Sequence, residues 1–476
     1  MAPVLELLTR GRLTNGTTVR LTGNLLKSPG RGQEWEFVVQ EGSKGAIEIL
    51  GDCDVDVCRL FLTFEAILKG SQTYPIQKKA LSTEYLRDNA YLRARTGHIA
   101  AMLRLRNKVS RSLSQSFEVY LSDLALIYWL TFEKSQGFTY THTPIITGND
   151  CEGAGEAFRI APLLPPASDP LAHPLEFFSQ TAYLTVSHQL HLESLTTALS
   201  RVYTLSPCFR AERSMTGRHL AEFWMLEAEW NLVTHFDGVE EICSFLEGLI
   251  RSSVDPDSPD IIKLWSERDG GGLQSKDYDV FRSALDKAQP WNRITYTEAI
   301  QLLGTAYAKE RRFEYEPKWG ESLSSEHERW LAAHAGGPVF VTNYPIGLKP
   351  FYMRVNEDEK TVACFDLLVP RIGELVGGSV REERLDVLTK RMREHGLLCE
   401  TDGRQVCTRD KDVTANCGEG SANDSTYKWY ADLRKYGGAP HGGFGLGFER
   451  LVSWISGIDN VKECIGMPRW TGRMVM

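Results

Sequence analysis

A predicted hairpin near the middle of the chain concentrates charged and aromatic side chains. Arg210 and Glu212 lie two residues apart at the end of one strand and therefore point the same way. A loop carrying Arg218 and His219 follows, and the returning strand brings Phe223. Guanidinium groups bind phosphate, a carboxylate accepts from an amino group and an aromatic ring stacks on a base, so the hairpin predicts a nucleotide site. A salt-bridged hairpin on a solvent-exposed face would have the same composition.

A second segment, residues 441–447, is rich in glycine and precedes an apolar predicted helix. Glycines such as Gly447 let the backbone lie close to a flat ligand. Arg450 lies near the start of the helix, where it would meet an anion beside the positive helix end. The segment has no Gly-Lys-Ser/Thr and no following βαβ unit, which excludes a P-loop and a Rossmann fingerprint. The alternative interpretation is a glycine-rich bend in a strand.

A third segment places two acids, Asp366 and Glu374, on either side of a proline turn in an otherwise apolar stretch. Carboxylates in such surroundings need a cation. Mg²⁺ held by one or two carboxylates together with substrate phosphates would satisfy them, and so would a neighbouring arginine. Together the three segments predict an ATP site that is built without a P-loop.

The composition excludes several classes of protein. The chain has 476 residues, 54 Lys+Arg and 62 Asp+Glu, and a formal net charge of −8, with 42% hydrophobic residues. These values rule out collagen, coiled coil and wholesale disorder, and at roughly 150 residues per domain they predict two to three domains. No apolar run approaches the roughly 18 residues of a membrane span, so no membrane partner is expected. The mild acidity predicts that any nucleic-acid contact uses a local basic patch.

The elements that must position these residues predict an α+β fold. Short segments at 18–21, 36–40 and 46–50 predict strands of a small N-terminal β-domain. Strands at 202–210 and 222–230 face each other across a polar loop, which predicts an antiparallel sheet. The remaining organisation is a polar, basic hinge at 71–97, a helix within 104–134, a strand at 139–143, an insertion at 256–325 and a disordered surface loop at 398–426.

The motifs resemble those of a known enzyme family. The hairpin at 210–223 is similar to motif 2 of the class II aminoacyl-tRNA synthetases, and segment 445–450 is similar to motif 3. The helix ending near Gly137, with the strand that stops at Pro144, resembles motif 1. Segment 74–87 is similar to the hinge of the aspartyl/asparaginyl subgroup. The resemblance is closest to the asparaginyl type of bacteria and organelles, within the Asp/Asn/Lys subgroup.

This resemblance implies a fold, a reaction and partners. It covers residues from about 13 to 470 and implies a class II catalytic domain at 98–476, built on an antiparallel sheet flanked by helices. A partial OB-fold that binds the anticodon would occupy 1–70, and a homodimer would form through the motif 1 region around Pro144. The implied reaction joins L-asparagine to tRNA(Asn) through an asparaginyl-adenylate, with ATP as substrate and Mg²⁺ as cofactor.

The resemblance also implies roles for individual residues. Arg210 would hold the α-phosphate and the reacting carboxylate, and Phe223 and Arg450 would enclose the adenine. The implied ATP site consists of Arg210, Glu212, Arg218, His219, Phe223, Glu374, Gly447 and Arg450, with Arg210 and Arg450 as the catalytic residues. The implied Mg²⁺ ligands are Asp366 and Glu374, and the implied asparagine site consists of Glu152, Gln189, Glu227 and Arg381.

Two positions favour asparagine over aspartate. Leu192 stands where aspartyl enzymes carry a lysine for the substrate's side-chain carboxylate, and a neutral amide does not need that cation. Glu227 replaces the subgroup's aspartate and can accept from an amide N–H₂. One alternative is an asparagine synthetase-like paralogue that activates aspartate without tRNA. Another is a non-catalytic paralogue, which would be expected to lose Arg210, Arg450 or the acid pair.

The sequence departs from the family at its N-terminus. The β-domain is shorter than a complete five-stranded barrel, which predicts either a reading frame that starts too late or impaired anticodon recognition; the hypothesis here is the late start. The bacterial/organellar character predicts an enzyme of the mitochondrial matrix, with the cytoplasm as the alternative, although no presequence is visible. Cys151 lies where serine is usual, and the loop at 398–426 is longer than in the family.

Overall fold

The computed structural model describes residues 13, 15–30, 34–39, 47–51, 53, 74–76, 80–118, 137–148, 157–162, 177–178, 180–232, 238–268, 272–286, 288–397, 399–401, 404–406 and 427–476. The chain divides into two compact units, residues 1–100 with 475–476 and residues 101–474.

The α-helices are α1 (Thr83–Asp88), α2 (Ala90–Arg93), α3 (Gly97–Glu118), α4 (Gln189–Leu199), α5 (Gly238–Ser253), α6 (Pro259–Ser266), α7 (Lys276–Ala284), α8 (Tyr296–Glu310), α9 (Ser325–His334), α10 (Leu385–Glu394), α11 (Lys428–Lys435) and α12 (Phe448–Ser456). The β-strands are β1 (Thr18–Leu21), β2 (Gly23–Lys27), β3 (Trp35–Val39), β4 (Ile47–Gly51), β5 (Thr139–Tyr140), β6 (Ile146–Thr147), β7 (Arg159–Ile160), β8 (Ala182–Leu184), β9 (Arg201–Phe209), β10 (Glu222–Asn231), β11 (Asn292–Thr295), β12 (Val339–Thr342), β13 (Cys364–Val369), β14 (Gly373–Val380), β15 (Cys399–Thr401), β16 (Arg404–Val406) and β17 (His441–Gly447).

The first unit contains two small antiparallel sheets. Strand β1 pairs with β4, and β2 pairs with β3. The three strands predicted for this domain correspond to β1, β3 and β4 and are confirmed, whereas β2 was missed. An OB-fold stays a prediction, because residues 54–73 lie outside the described part of the chain. The predicted hinge contains the short helices α1 and α2, and Ser82 caps α1 by accepting from the backbone N–H of Tyr85.

The second unit is built on an eight-stranded sheet in the order β11-β12-β13-β14-β17-β10-β9-β5. The β11–β12 and β9–β5 pairs at its two edges are parallel, and all the pairs between them are antiparallel. The predicted α+β fold with an antiparallel sheet and flanking helices is therefore confirmed. Segment 256–325, predicted as an insertion, is not separate from this sheet, since β11 forms one of its edges.

Helices pack on the sheet through apolar faces. In α5, Ile242, Leu246, Leu249 and Ile250 recur at helical spacing and are buried against the central strands. Helix α4 packs on β9 and β10, and α12 packs on β10 and β17. Within the described residues no helix is both long enough and apolar enough to cross a membrane.

The register of the central strands determines what faces the site. Glu227 of β10 lies opposite Gly445 of β17, Gly445 lies opposite Gly377 of β14, and Gly377 lies opposite Asp366 of β13. Residues in register share one face of the sheet, so two glycines separate two carboxylates. This glycine row, Glu227–Gly445–Gly377–Asp366, forms a floor without side chains at its centre.

A β-bulge changes the alternation at one end of that floor. Leu367 pairs with Val376, whereas the next residue, Leu368, pairs with Glu374. The extra residue on β14 is therefore Leu375. Simple alternation from Gly377 would send the Glu374 side chain to the opposite face, and the bulge returns it to the floor.

Several sequence predictions differ from the structure or fall partly outside the described residues. The strand predicted at 139–143 is shorter, covering Thr139–Tyr140, and the helix predicted within 104–134 begins earlier and is described up to Glu118. Of the loop predicted to be disordered, residues 399–406 contain the antiparallel pair β15–β16, and 407–426 lie outside the described residues. Segment 149–156, which includes Glu152, also lies outside them.

Candidate active site

The β9–β10 hairpin places Arg210 beside Phe223. The two strands pair along their length, with Phe223 opposite Cys208. Arg210 follows β9 directly, and its backbone N–H donates to the carbonyl oxygen of Ala221 at 3.0 Å. Its guanidinium carbon lies 5.3 Å from the centre of the Phe223 ring, within cation–π range. A positive charge and an aromatic face therefore lie side by side on the site face of the sheet.

His219 lies in the loop of the hairpin, held by hydroxyl groups. Its Nδ1 is 2.8 Å from Oγ of Ser214 and 2.6 Å from Oγ1 of Thr216, and its Nε2 is 3.6 Å from the Glu212 carboxylate. Burial lowers the pKa of His219; Glu212 opposes this effect, and nearby guanidinium groups, first that of Arg450, add to it. The neutral form of the ring is therefore favoured.

Arg218 is bonded to helix α9. Its Nη2 donates to Oε2 of Glu328 at 3.0 Å, and its Nη1 donates to the hydroxyl of Ser325. Glu328 also accepts from the backbone N–H of Glu374 at 3.2 Å. Burial and the charge of Glu374 raise the pKa of Glu328, against the effect of Arg218. Glu328 thus links the hairpin loop to the acid pair, a role that the sequence did not indicate.

Arg450, in the first turn of α12, is held against β14. Its Nη1 donates to the carbonyl oxygen of Glu374 at 2.9 Å and lies 3.3 Å from Oε2 of the same residue. The sequence left open whether Mg²⁺ or a neighbouring arginine satisfies the acid pair. In the structure Arg450 is such an arginine, and it pairs with Glu374. Arg450 belongs to the wall of a first cavity, which is lined by Arg210, Glu212, Arg218, His219, Leu220, Phe223, Met225, Glu374, Leu375, Gly445, Gly447, Glu449, Arg450 and Val461.

Asp366 is neutralised by a lysine. Lys349 Nζ donates to both carboxylate oxygens of Asp366, at 2.8 Å each, and lies 4.0 Å from the centre of the Tyr344 ring. Burial raises the pKa of Asp366, Lys349 opposes that effect, and the charge of Glu374 adds to it. Lys349 was missed because it lies far from Asp366 in sequence, before the strand β13 begins.

The acid pair fits a hard divalent cation at Glu374 and, more weakly, at Asp366. A Cβ built on Gly377 would lie 3.4 Å from Oε1 of Glu374 and 3.6 Å from Oδ1 of Asp366, so both oxygens border one space that has no side chain in it. Burial raises the pKa of Glu374, but Arg450, Lys349 and other cations outweigh it, and the net direction is downward. Glu374 is thus an ionised oxygen donor, whereas Asp366 shares its oxygens with Lys349.

A second cavity continues from the first, and the two share Arg210, Met225, Glu374 and Gly445. Its wall includes three of the residues predicted for the asparagine site, namely Gln189, Glu227 and Arg381, as well as Leu192. Its lining also contains Ser187, Glu229, Lys349, Tyr352, Asp366, Gly377, Gly378 and His395.

Glu227 is held beneath the N-terminal end of α4. Its carboxylate accepts from the hydroxyl of Ser187 and from the backbone N–H of His188 at 2.9 and 3.1 Å. Only 2% of Glu227 is exposed. The Glu227 carboxylate, which the sequence predicts to accept from the substrate amide, therefore also accepts from groups of the chain itself.

Arg381 is fully buried and paired with a second glutamate of β10. Its Nε and Nη2 donate to the carboxylate of Glu229 at 3.0 and 2.8 Å, and its Nη1 donates to Oγ of Ser379. Burial disfavours the guanidinium charge, but Glu229 outweighs burial and raises the pKa of Arg381. Glu229 was not singled out in the sequence, because β14 and β10 are separated by about 150 residues of chain. Ser379 was missed although it lies only two residues before Arg381, where strand alternation puts both side chains on one face.

Every predicted site residue that the structure describes lines one of these two joined cavities; Glu152 lies outside the described residues. An arginine-rich, aromatic cavity thus opens into a polar cavity lined with paired charges. A family model for tRNA synthetases class II (D, K and N) matches residues 82–471, and the chain belongs to this family.

The chain is similar to asparagine–tRNA ligases. It is 40% identical over 465 residues to the asparagine–tRNA ligase of Rhodopirellula baltica, covering 97% of this chain and 80% of the relative. It is 40% identical over 458 residues to that of Microcystis aeruginosa, covering 96% and 84%. The asparaginyl-tRNA synthetase of Pyrococcus horikoshii, solved with asparaginyl-adenylate, superposes with a TM-score of 0.71 and 25% identity over 99% of this chain and 86% of that one.

Proposed function

We propose that this chain joins L-asparagine to tRNA(Asn) in two steps, through an asparaginyl-adenylate. The observation that carries the proposal is the pair of joined cavities with Arg210 at their junction. The first cavity suits ATP, with Phe223 as a stacking face and Arg450 as a phosphate partner. The second suits a small polar amino acid. A carboxylate entering from the second cavity would meet the α-phosphate at Arg210.

The first step needs no protein nucleophile. The carboxylate oxygen of asparagine attacks the α-phosphorus of ATP in line, the bond to the bridging oxygen breaks, and pyrophosphate leaves. Arg210 and Arg450 neutralise the charge that develops on the phosphate oxygens, and the fixed cavity walls align the reactants. In the second step a 3′-terminal hydroxyl of tRNA attacks the acyl carbon of the adenylate, and AMP leaves.

Mg²⁺ belongs to the proposal as a cofactor. Glu374 and Asp366 would hold it at the edge of the glycine row, where it would supply positive charge for the phosphates. Two hard oxygen donors bordering a space without side chains support this assignment. Lys349 would keep its bond to Asp366.

Asparagine, rather than aspartate, is the proposed amino acid. Leu192 is buried in the wall of the second cavity, at the position where aspartyl enzymes carry a lysine. Lys349 lines the same cavity but is bonded to Asp366 through both carboxylate oxygens. An asparagine synthetase-like enzyme that activates aspartate would need a cation for the side-chain carboxylate, so this alternative is not favoured.

Three further assignments are part of the proposal. A homodimer forms through the motif 1 region around Pro144, tRNA(Asn) binds through the N-terminal β-domain, and the enzyme works in the mitochondrial matrix. They are supported by the family membership and by the bacterial/organellar character of the sequence. Light scattering of the purified protein would test the dimer, and imaging of the tagged protein in cells would test the compartment.

The decisive experiment is amino acid-dependent ATP–pyrophosphate exchange, run with asparagine and with aspartate and without tRNA. Exchange with asparagine alone is expected. Exchange with aspartate would promote the synthetase-like alternative. Exchange with neither, in a protein whose thermal unfolding is cooperative, would favour a non-catalytic paralogue.

A further inference from the structure

A buried polar cluster lies behind the second cavity, around Glu193 of α4. Glu193 is fully buried and does not line either cavity. Its Oε2 accepts from Nη2 of Arg434 at 2.8 Å and from the hydroxyl of Tyr430 at 2.7 Å, and lies 3.1 Å from Nε2 of His441. None of these four residues was assigned a role in the reaction.

Glu193 reaches the cavity wall through two residues that do line it. Its Oε1 accepts from Nε2 of Gln189 at 3.0 Å and lies 3.8 Å from Nε of Arg381. An acceptor on the amide nitrogen fixes which way the Gln189 amide points, because its Nε2 must face Glu193. Glu193 therefore orients Gln189 and adds negative charge beside Arg381.

Two of the cations that line this cavity are paired with carboxylates of the chain itself. Arg381 pairs with Glu229, and Lys349 pairs with Asp366. Behind the wall, Arg434 pairs with Glu193. A neutral amide can hydrogen-bond to such groups without disturbing their charge balance. A substrate carboxylate would bring a charge that lacks a counter-ion into a buried site, which is costly.

We propose that Glu193, one residue after Leu192, is a positioning residue that determines specificity. Held by Arg434, Tyr430 and His441 behind it, Glu193 keeps Gln189 oriented and helps to keep Arg381 neutralised. As a result, the second cavity accepts an amide and rejects a carboxylate. This proposal rests on the proposed function and deepens it. Leu192 places no cation at this position, and Glu193 adds a second negative charge beside Arg381, which Glu229 already pairs. Specificity then arises because bound aspartate would leave its side-chain carboxylate without a counter-ion in the cavity.

The test compares charge-changing variants that are nearly isosteric. Glu193→Gln removes the negative charge, so the ratio of kcat/KM for asparagine to that for aspartate should fall by about tenfold or more in pyrophosphate exchange. Arg434→Gln removes the positive partner and should leave the ratio unchanged or higher. Glu193→Asp keeps the charge and should recover most of the selectivity.

A merely structural role gives a different result. If Glu193→Gln and Arg434→Gln both lower kcat/KM for the two amino acids by the same factor, the proposal is wrong. Glu247→Gln is the matched control, because Glu247 is a buried glutamate of α5 paired with Arg251 away from both cavities. In Glu247→Gln the ratio of kcat/KM for asparagine to that for aspartate should equal that of the wild type.

Two outcomes separate this proposal from the proposed function. A wild-type protein that activates no amino acid would overturn the function itself. A wild-type protein that activates asparagine, with an unchanged ratio in Glu193→Gln, would overturn only the inference. If Glu193→Gln does not fold, Glu229→Gln tests the same idea, since Glu229 neutralises Arg381 directly from the sheet.

Discussion

At the scale of single residues, the site is a set of charges that already have partners. Arg450 donates to Glu374, Lys349 donates to Asp366, and Arg218 donates to Glu328. Side chains held in this way lose little conformational entropy when substrate binds. Bonds such as that between Arg218 and Glu328 must be shared or exchanged when phosphates bind, so the partners influence affinity as well as position.

The first prediction concerns Arg450. Arg450→Ala removes a charge that is positioned before the reaction, and the loss of one such group costs about 10²- to 10³-fold in kcat. We expect asparagine-dependent exchange to fall by that factor while the unfolding temperature changes little, because this side chain borders the cavity. Arg371→Ala is the control, since Arg371 pairs with Asp459 away from the site and should lower stability but retain exchange. Substantial exchange by Arg450→Ala would contradict the assignment.

The second prediction concerns the pH dependence of ATP binding. The pKa of His219 lies below its ordinary value in the free protein, chiefly because of burial. Phosphates placed nearby would raise it, so binding takes up protons, and affinity should rise as the pH falls from about 8 to about 6. Calorimetry with a non-hydrolysable ATP analogue, in buffers of different ionisation enthalpy, measures the uptake. His219→Gln should retain only the proton exchange of the nucleotide itself; equal uptake in both proteins would show that His219 does not titrate on binding.

At the scale of elements, the bulge in β14 and the glycine row determine the shape of the site. Four central strands, β10, β17, β14 and β13, provide the floor, and the bulge at Leu375 brings Glu374 back to it. The predicted hairpin was correct because its strands are consecutive and its turn is polar. The bulge was not predictable, because it depends on how β13 and β14 pair rather than on local residue types. Lys349 and Glu328 were missed for the same reason, since long-range packing brings them to the site.

Two glycine substitutions should separate folding from function. A Cβ on Gly443 would lie 2.0 Å from the carbonyl oxygen of Ala228, so Gly443→Ala should destabilise the fold by at least about 3 kcal/mol. A Cβ on Gly377 meets its neighbours at ordinary distances but occupies the floor, so Gly377→Ala should fold normally and lose about 10²-fold in exchange. Thermal unfolding and pyrophosphate exchange measure the two effects. An active Gly377→Ala variant would mean that substrates do not lie on the glycine row.

At the scale of the whole molecule, the chain consists of two compact units with separate tasks in the proposed function. The sequence predicted the α+β class and the central antiparallel sheet, because motif spacing and strand patterns are local. It did not predict that β11 completes the sheet, since a four-residue strand at a parallel edge has no distinctive pattern. The N-terminal strands β1, β3 and β4 were predicted, whereas their place in an OB-fold stays a prediction.

The N-terminal unit gives the fourth prediction. Trp35 and Phe37 lie two residues apart on β3 and are about half exposed. Aromatic side chains of this kind stack on unpaired bases, and each stacked base contributes about 1–3 kcal/mol. We expect Trp35→Ala or Phe37→Ala to raise the KM for tRNA by about 5- to 100-fold, with asparagine-dependent exchange unchanged. Leu50→Ala is the control, as an exposed apolar residue of the neighbouring sheet. An unchanged KM for tRNA would remove these rings from the proposed RNA surface.

The glycine row also limits how the enzyme can change over evolutionary time. The centre of the floor, Gly445 and Gly377, offers no side chain that could be exchanged for another to accommodate a new amino acid, and Gly443, beside it on β17, has no room for a larger residue. New substrate preferences must therefore arise at the ends of the row, such as Glu227, and in the walls, such as helix α4. A family built on this floor would keep one way of binding nucleotide while its members diverge in the amino acid that they select.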